Sequence, residues 1–217
     1  MNITMKASYS LLYTAILFLA ACNSSTPTPA TDSSAARKTN GGSASQIIVN
    51  PKPVSGIFDQ SPMDMIYFPT EFPKLKSQRQ ASGDPKVRVI YSRPQRHNRA
   101  IFGGLQKYGQ PWRMGANEAT EIQLFAPASV NGKKIAKGTY ILYCIPEEKE
   151  WTIVFNSASY TWGLQFDPAN DVLRTTIPVE AVEEPVEALT MFFTEENGKA
   201  MLHIEWDHVK AKLPFSF

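Results

Sequence analysis

Apolar and polar positions alternate in short runs through most of the chain after residue 80. Val87, Val89 and Tyr91 fall on one side of an extended segment, Arg88, Ile90 and Ser92 on the other, and Pro94 ends the run. Segment 121–125 (EIQLF) reads as a second strand. Asn131-Gly132 is a hairpin dipeptide, because both residues tolerate the positive φ that a tight two-residue turn needs. It leads into 133–137, a turn at Gly138, and the apolar run 140–145 (YILYCI). Segments 151–155 (WTIVF), 172–177 (VLRTTI), 188–193 (ALTMFF) and 201–209 (MLHIEWDHV) complete the set. Strands at this spacing, without longer helical patterns between them, predict a mainly β chain: one antiparallel β-sandwich or barrel-like domain over 81–217. The Pro-punctuated stretch 47–80, with apolar residues at 63–68 (MDMIYF), reads as an irregular arm lying over that domain.

The start of the chain has a different pattern. Lys6 precedes an apolar run at 11–20 (LLYTAILFLA), and small residues lead to Cys22, which predicts a signal peptide over 1–21. The run is shorter than the roughly 20 residues a spanning helix needs. Residues 19–22 (LAAC) resemble a bacterial lipobox, which implies cleavage before Cys22 and lipid attachment to it. Segment 22–46 is Ser, Thr, Pro, Ala and Gly with little to bury, and reads as a disordered tether. Asn23 is not the aspartate associated with inner-membrane retention, so the expected location is the periplasmic face of the outer membrane. The expected partner is the membrane itself, through the lipid on Cys22.

Bulk composition narrows the functions. A chain of 217 residues, 43% hydrophobic, can bury one sizeable core. A net charge of +2 is too mild for a nucleic-acid-binding face. That total hides an asymmetry: no Asp or Glu occurs from Pro85 to Asn117, where Lys86, Arg88, Arg93, Arg96, Arg99, Lys107 and Arg113 all fall. Arg88 and Arg96 read as solvated. With Cys22 lipidated, Cys144 is the only other cysteine, so no internal disulfide is available and Cys144 reads as a buried hydrophobe.

The basic segment ends in 101–120 (IFGGLQKYGQPWRMGANEAT), which concentrates glycines, aromatics and charge. Guanidinium groups bind carboxylate or phosphate through paired hydrogen bonds, and aromatic faces supply contact area. The candidate ligand-binding residues are Arg93, Arg99, Tyr108, Trp112, Arg113, Asn117 and Glu118, with Trp162 from a later loop. They suit a small polar, anionic or sugar-like ligand. Two other readings stay open. Glu118 with an arginine could serve a hydrolase, or Arg113 and Glu118 could form an ion pair that locks the loop for a scaffold or partner-binding role.

His203, Glu205 and Asp207 alternate with Leu202, Ile204 and Trp206, a spacing that suits a metal site but fits a solvent-facing strand better. No nucleophile elbow, zinc-protease helix, phosphate loop, dinucleotide fingerprint or Cys-x-x-Cys pair is present, and no cofactor can be assigned.

Several ordered motifs carry a family resemblance. They include 91–94 (YSRP), Ile101-Phe102-Gly103 with Leu105, Tyr108-Gly109, Trp112-Arg113, 115–120 (GANEAT), Gly138-Thr139-Tyr140, Ile145-Pro146, 150–155 (EWTIVF), Trp162-Gly163 and Asp171-Val172. Together they resemble the domain of unknown function 2911, from about residue 61 onward. The resemblance implies a bacterial protein, often exported or lipid-anchored, and no established activity. Asn98 stands where a glycine is expected before Arg99; asparagine also tolerates a left-handed backbone, so the turn is expected to survive.

Overall fold

A computed structural model describes residues 61–217. The expected signal peptide over 1–21, Cys22, the expected tether over 22–46 and the first part of the expected arm lie outside the described residues. Nine strands form one antiparallel sheet in the order β1-β2-β3-β6-β7-β8-β9-β4-β5. They are β1 (Met63–Phe68), β2 (Val87–Ser92), β3 (Thr120–Leu124), β4 (Ala128–Val130), β5 (Lys133–Ile135), β6 (Gly138–Pro146), β7 (Glu150–Asn156), β8 (Asp171–Glu196) and β9 (Lys199–Ser216). A six-residue helix, α1 (Phe72–Ser77), follows β1.

The sheet folds over on itself because β8 serves both halves. Its first part pairs with β7 up to Pro178, and from Val179 onward it pairs with β9. Around this changeover, residues 178–188 read PVEAVEEPVEA, mostly exposed, and the register shifts twice. Two prolines and four exposed glutamates weaken regular pairing there, so the strand bends rather than ends. The bend brings the far half of β8 opposite β2: the Tyr91 hydroxyl accepts from Met191 N at 2.8 Å. Alternate residues of both halves meet in one core that includes Val89, Ile122, Leu142, Phe155, Ile204 and Phe215. Each such side chain contributes roughly 1.5–3 kcal/mol by leaving water. The result is sandwich-like and mainly β, as the alternation predicts, and the sheet does not close into a barrel.

Three expectations change. Within the arm, β1 pairs with β2 from Met63↔Ser92 to Phe68↔Val87, so its described part belongs to the sheet rather than lying irregularly over it. Segments 172–177 and 188–193 are parts of one strand, β8. The outer face of β9 is not simply solvated: His203 and Asp207 are buried. Both asparagine–glycine hairpin positions follow their chemistry, with Asn131 at φ 46° and Gly132 at 82°, and Asn197 at 52° and Gly198 at 72°.

Candidate functional site

The loop from Arg93 to Ala119 is fastened to both layers before it presents anything to solvent. Trp112 and Cys144 exchange backbone hydrogen bonds of 2.7 and 2.9 Å, so Trp112 continues along β6 just past the end of β3. On the other layer, Arg96 N donates to Glu187 O at 2.8 Å and Pro94 O accepts from Leu189 N at 3.0 Å. Ser92 Oγ accepts from Ala116 N at 2.8 Å and donates to Ala116 O. Asn98 takes φ 57°, so the expected left-handed turn is present. Gly104 is required by close approach, since a Cβ there would lie 2.2 Å from Ala100 O.

Beneath this loop sits an aromatic cluster from distant strands. Trp112 stacks on Trp206 with centroids 5.7 Å apart, and Phe102 packs against Trp112, Trp151 and Trp206. Asp207, next to Trp206, turns inward. Its Oδ1 lies 3.1 Å from Arg96 Nε, without hydrogen-bond alignment, and its Oδ2 accepts from Ile101 N at 3.0 Å. Arg96 is therefore a mostly buried loop anchor, not a solvated charge, and Arg88 is half-buried, 3.9 Å from Glu121.

The candidate residues separate into distinct places. Arg99 and Arg113 line a groove of about 420 Å³ whose floor includes Trp112 and Trp206. No carboxylate is among its described lining residues. Arg99 Nε and Nη2 donate to the carbonyls of Arg96 and Gln95 at 2.8 and 2.7 Å. Arg113 Nη1 donates to Asn117 O and, at 2.9 Å, to Trp162 O. Each guanidinium is thus oriented by backbone and keeps further N–H groups for a ligand. Partial burial lowers the pKa of Arg113.

Asn117 contributes only its carbonyl to that clamp. Arg93 lies outside that groove, bonded to Leu189 O and Thr190 Oγ1 at 3.1 Å each and 3.6 Å from Asp64. The Tyr108 ring covers Gly103 instead of lining the groove. Partial burial, then Glu148, Asp207 and Glu147, push its pKa up.

Glu118 and Trp162 line a separate hollow of about 340 Å³ with no arginine among its described lining residues. Glu118 makes no ion pair with Arg113 among the described residues; Arg113 locks the loop through carbonyl oxygens instead.

His203, Glu205 and Asp207 do not converge. The His203 ring stacks on Phe192 at 4.4 Å, and its Nε2 lies 2.8 Å from Thr194 Oγ1 and 3.3 Å from Glu196 Oε1. Hydroxyl and carboxylate share one ring nitrogen, whereas a nucleophilic triad needs them on opposite nitrogens. Among the described residues no group of three metal-ligating side chains forms. Cys144 is buried and its thiol pKa is pushed well up by burial.

The family model described as a protein of unknown function (DUF2911) matches residues 73–215, well over half of the chain. The chain belongs to the DUF2911 family. No curated protein and no solved structure matches it. The matched region runs from before β2 into β9 and includes the groove's described lining residues apart from Ser61. Trp206, the inward turn of Asp207 and the anchoring role of Arg96 lie beyond what the sequence motifs signalled. Only the acid-free run around Arg96 hinted that its partner must come from elsewhere.

Proposed function

We propose that the groove between Arg99 and Arg113 binds a small polar anion, such as an organic acid or a uronic-acid sugar. The carrying observation is the sign of its lining: two backbone-oriented guanidiniums over a tryptophan floor, with no carboxylate among the described lining residues. Such groups recognise carboxylate oxygens through paired N–H donors, and a preset guanidinium loses less entropy on binding. The hydrolase alternative has less support, because Glu118 opens on the other hollow.

Calorimetric titration of the full chain with citrate, glucuronate and anionic cell-wall fragments tests this reading. Saturable binding of at least one is expected, weakened about tenfold by Arg99→Ala and by Arg113→Lys. A panel without binding, or unchanged affinity in both variants, contradicts it.

We further propose that this domain works at the cell envelope, exported by the signal peptide and anchored by lipid on Cys22, on the periplasmic face of the outer membrane. The run at 11–20 and the LAAC motif support that reading. Fatty-acid labelling that survives Cys22→Ser would overturn it.

A further inference from the structure

The second hollow has the opposite electrical character and lies on the outer face of the sheet. Ile90, Glu121 and Ile141 form its floor because they are register neighbours on β2, β3 and β6, and the core-facing residues next to them point the other way. The loop after β7 supplies Tyr160 and Trp162, and the Gly-rich loop supplies Glu118. No lysine or arginine is among the described lining residues. Glu118 has no ion pair among the described residues, and Glu121 has only Arg88 at 3.9 Å.

Two features of this hollow do little for folding. Tyr160 is 97% exposed and buries almost nothing, and Trp162, 56% exposed, leaves more than half of its surface open to solvent. Tyr160 also holds φ 61°, a conformation that a bulky residue adopts at a cost. The walls are nevertheless set in place. Arg113 binds the carbonyls of both Trp162 and Asn117, so one guanidinium fastens the segments carrying the indole and the Glu118 carboxylate. At the loop's far end, Phe166 stacks on Tyr143 at 4.1 Å and Asn156 Nδ2 donates to Asp167 O at 3.0 Å.

We propose that this hollow is a second ligand site, for a small organic cation of the amine or quaternary-ammonium class. Exposed tyrosine and tryptophan faces attract a cation through their π electrons, and the Glu118 and Glu121 carboxylates complement its charge. The same carboxylates repel the anions suited to the arginine groove. A volume of about 340 Å³ admits a small molecule and is too little for a folded segment.

Choline is the probe, with its uncharged isostere 3,3-dimethylbutan-1-ol and glucose as controls, each titrated into the full chain and followed by tryptophan fluorescence and indole NMR shifts. Choline saturates the site and moves the Trp162 indole resonance, whereas neither control does. Trp162→Ala and Glu118→Gln each weaken choline binding by about tenfold, while Arg99→Ala leaves it unchanged. Both substituted side chains are exposed, and far-UV circular dichroism verifies that the variants fold. Absence of saturable choline binding, equal binding of the isostere or of glucose, or undiminished binding by Trp162→Ala overturns the proposal. The result is independent of the arginine groove, because that groove is read out by citrate and Arg99→Ala.

Discussion

At Asp207 the β9 backbone takes φ 55°, near a shift in its register against β8. A local irregularity of this kind turns a side chain to the other face, which is why the alternation read from 201–209 fails there. The carboxylate then meets Arg96 and the Ile101 N–H, tying the Gly-rich loop to the far layer. Asp207→Ala strands a mostly buried guanidinium and a backbone donor, and is expected to destabilise the fold by about 3 kcal/mol in chemical denaturation. Asp207→Asn, which keeps an acceptor for Ile101, should cost less. Equal effects of both variants would mean that the charge pairing is unimportant.

Gly163 makes a related case, with φ 74° and any Cβ only 2.9 Å from Arg113 Cβ and Ala119 Cβ. Gly163→Ala should cost roughly 1–3 kcal/mol and loosen the Trp162 loop, visible as faster amide exchange there. At this scale the sequence offered Arg99 and Arg113 as candidates, and both line one groove. It hid their partners, because backbone carbonyls have no residue signature and Trp162 lies far along the chain from Arg113.

The β8–β9 hairpin is expected to respond to pH through His203. Burial, and then the Lys212 charge, lower the pKa of His203 below its ordinary 6.5, while Glu196 and Glu205 oppose them. A histidine whose folded pKa is depressed binds its proton more readily when the chain is unfolded. Its contribution to stability is therefore present above about pH 6.5 and is lost as pH falls through the lower folded value. Melting temperature should drop between about pH 7.5 and pH 5, and His203→Gln should flatten that slope. An unchanged slope would remove His203 as its cause. Glu196, whose own pKa is lowered chiefly by its hydrogen bond from Lys212, responds only at more acidic pH.

Among the elements, β2, β3, β6 and β7 were legible because each buries alternate residues against one core. β1 was not, since Met63 and Met65 are exposed and its pattern is weak. β8 was split because its exposed Val, Glu and Pro stretch carries no strand periodicity, and pairing with β9 maintains the strand on either side of the bend.

In the molecule as a whole, the folded sheet presents two openings that share Arg113 as a fastener: a cationic groove over the tryptophan cluster and an acidic, aromatic hollow on the outer face. The described domain is held by its core, with Cys144 as a free, buried thiol. In a Cys22→Ser variant, Cys144 should resist a thiol reagent while the protein is folded and react promptly in denaturant. Rapid labelling of the folded protein would show that β6 opens readily. Membership of the DUF2911 family was readable from ordered motifs spread over the chain, whereas the division of the candidate residues between two openings requires the three-dimensional arrangement.

The central claim, an anion site in the groove, is tested most directly by the indole resonances of Trp112 and Trp206 during titration of the full chain with citrate and glucuronate. Saturable shifts of both resonances are predicted with at least one of these acids, together with loss of the shifts in Arg99→Ala. Unmoved resonances, or shifts that persist in Arg99→Ala, would contradict the claim.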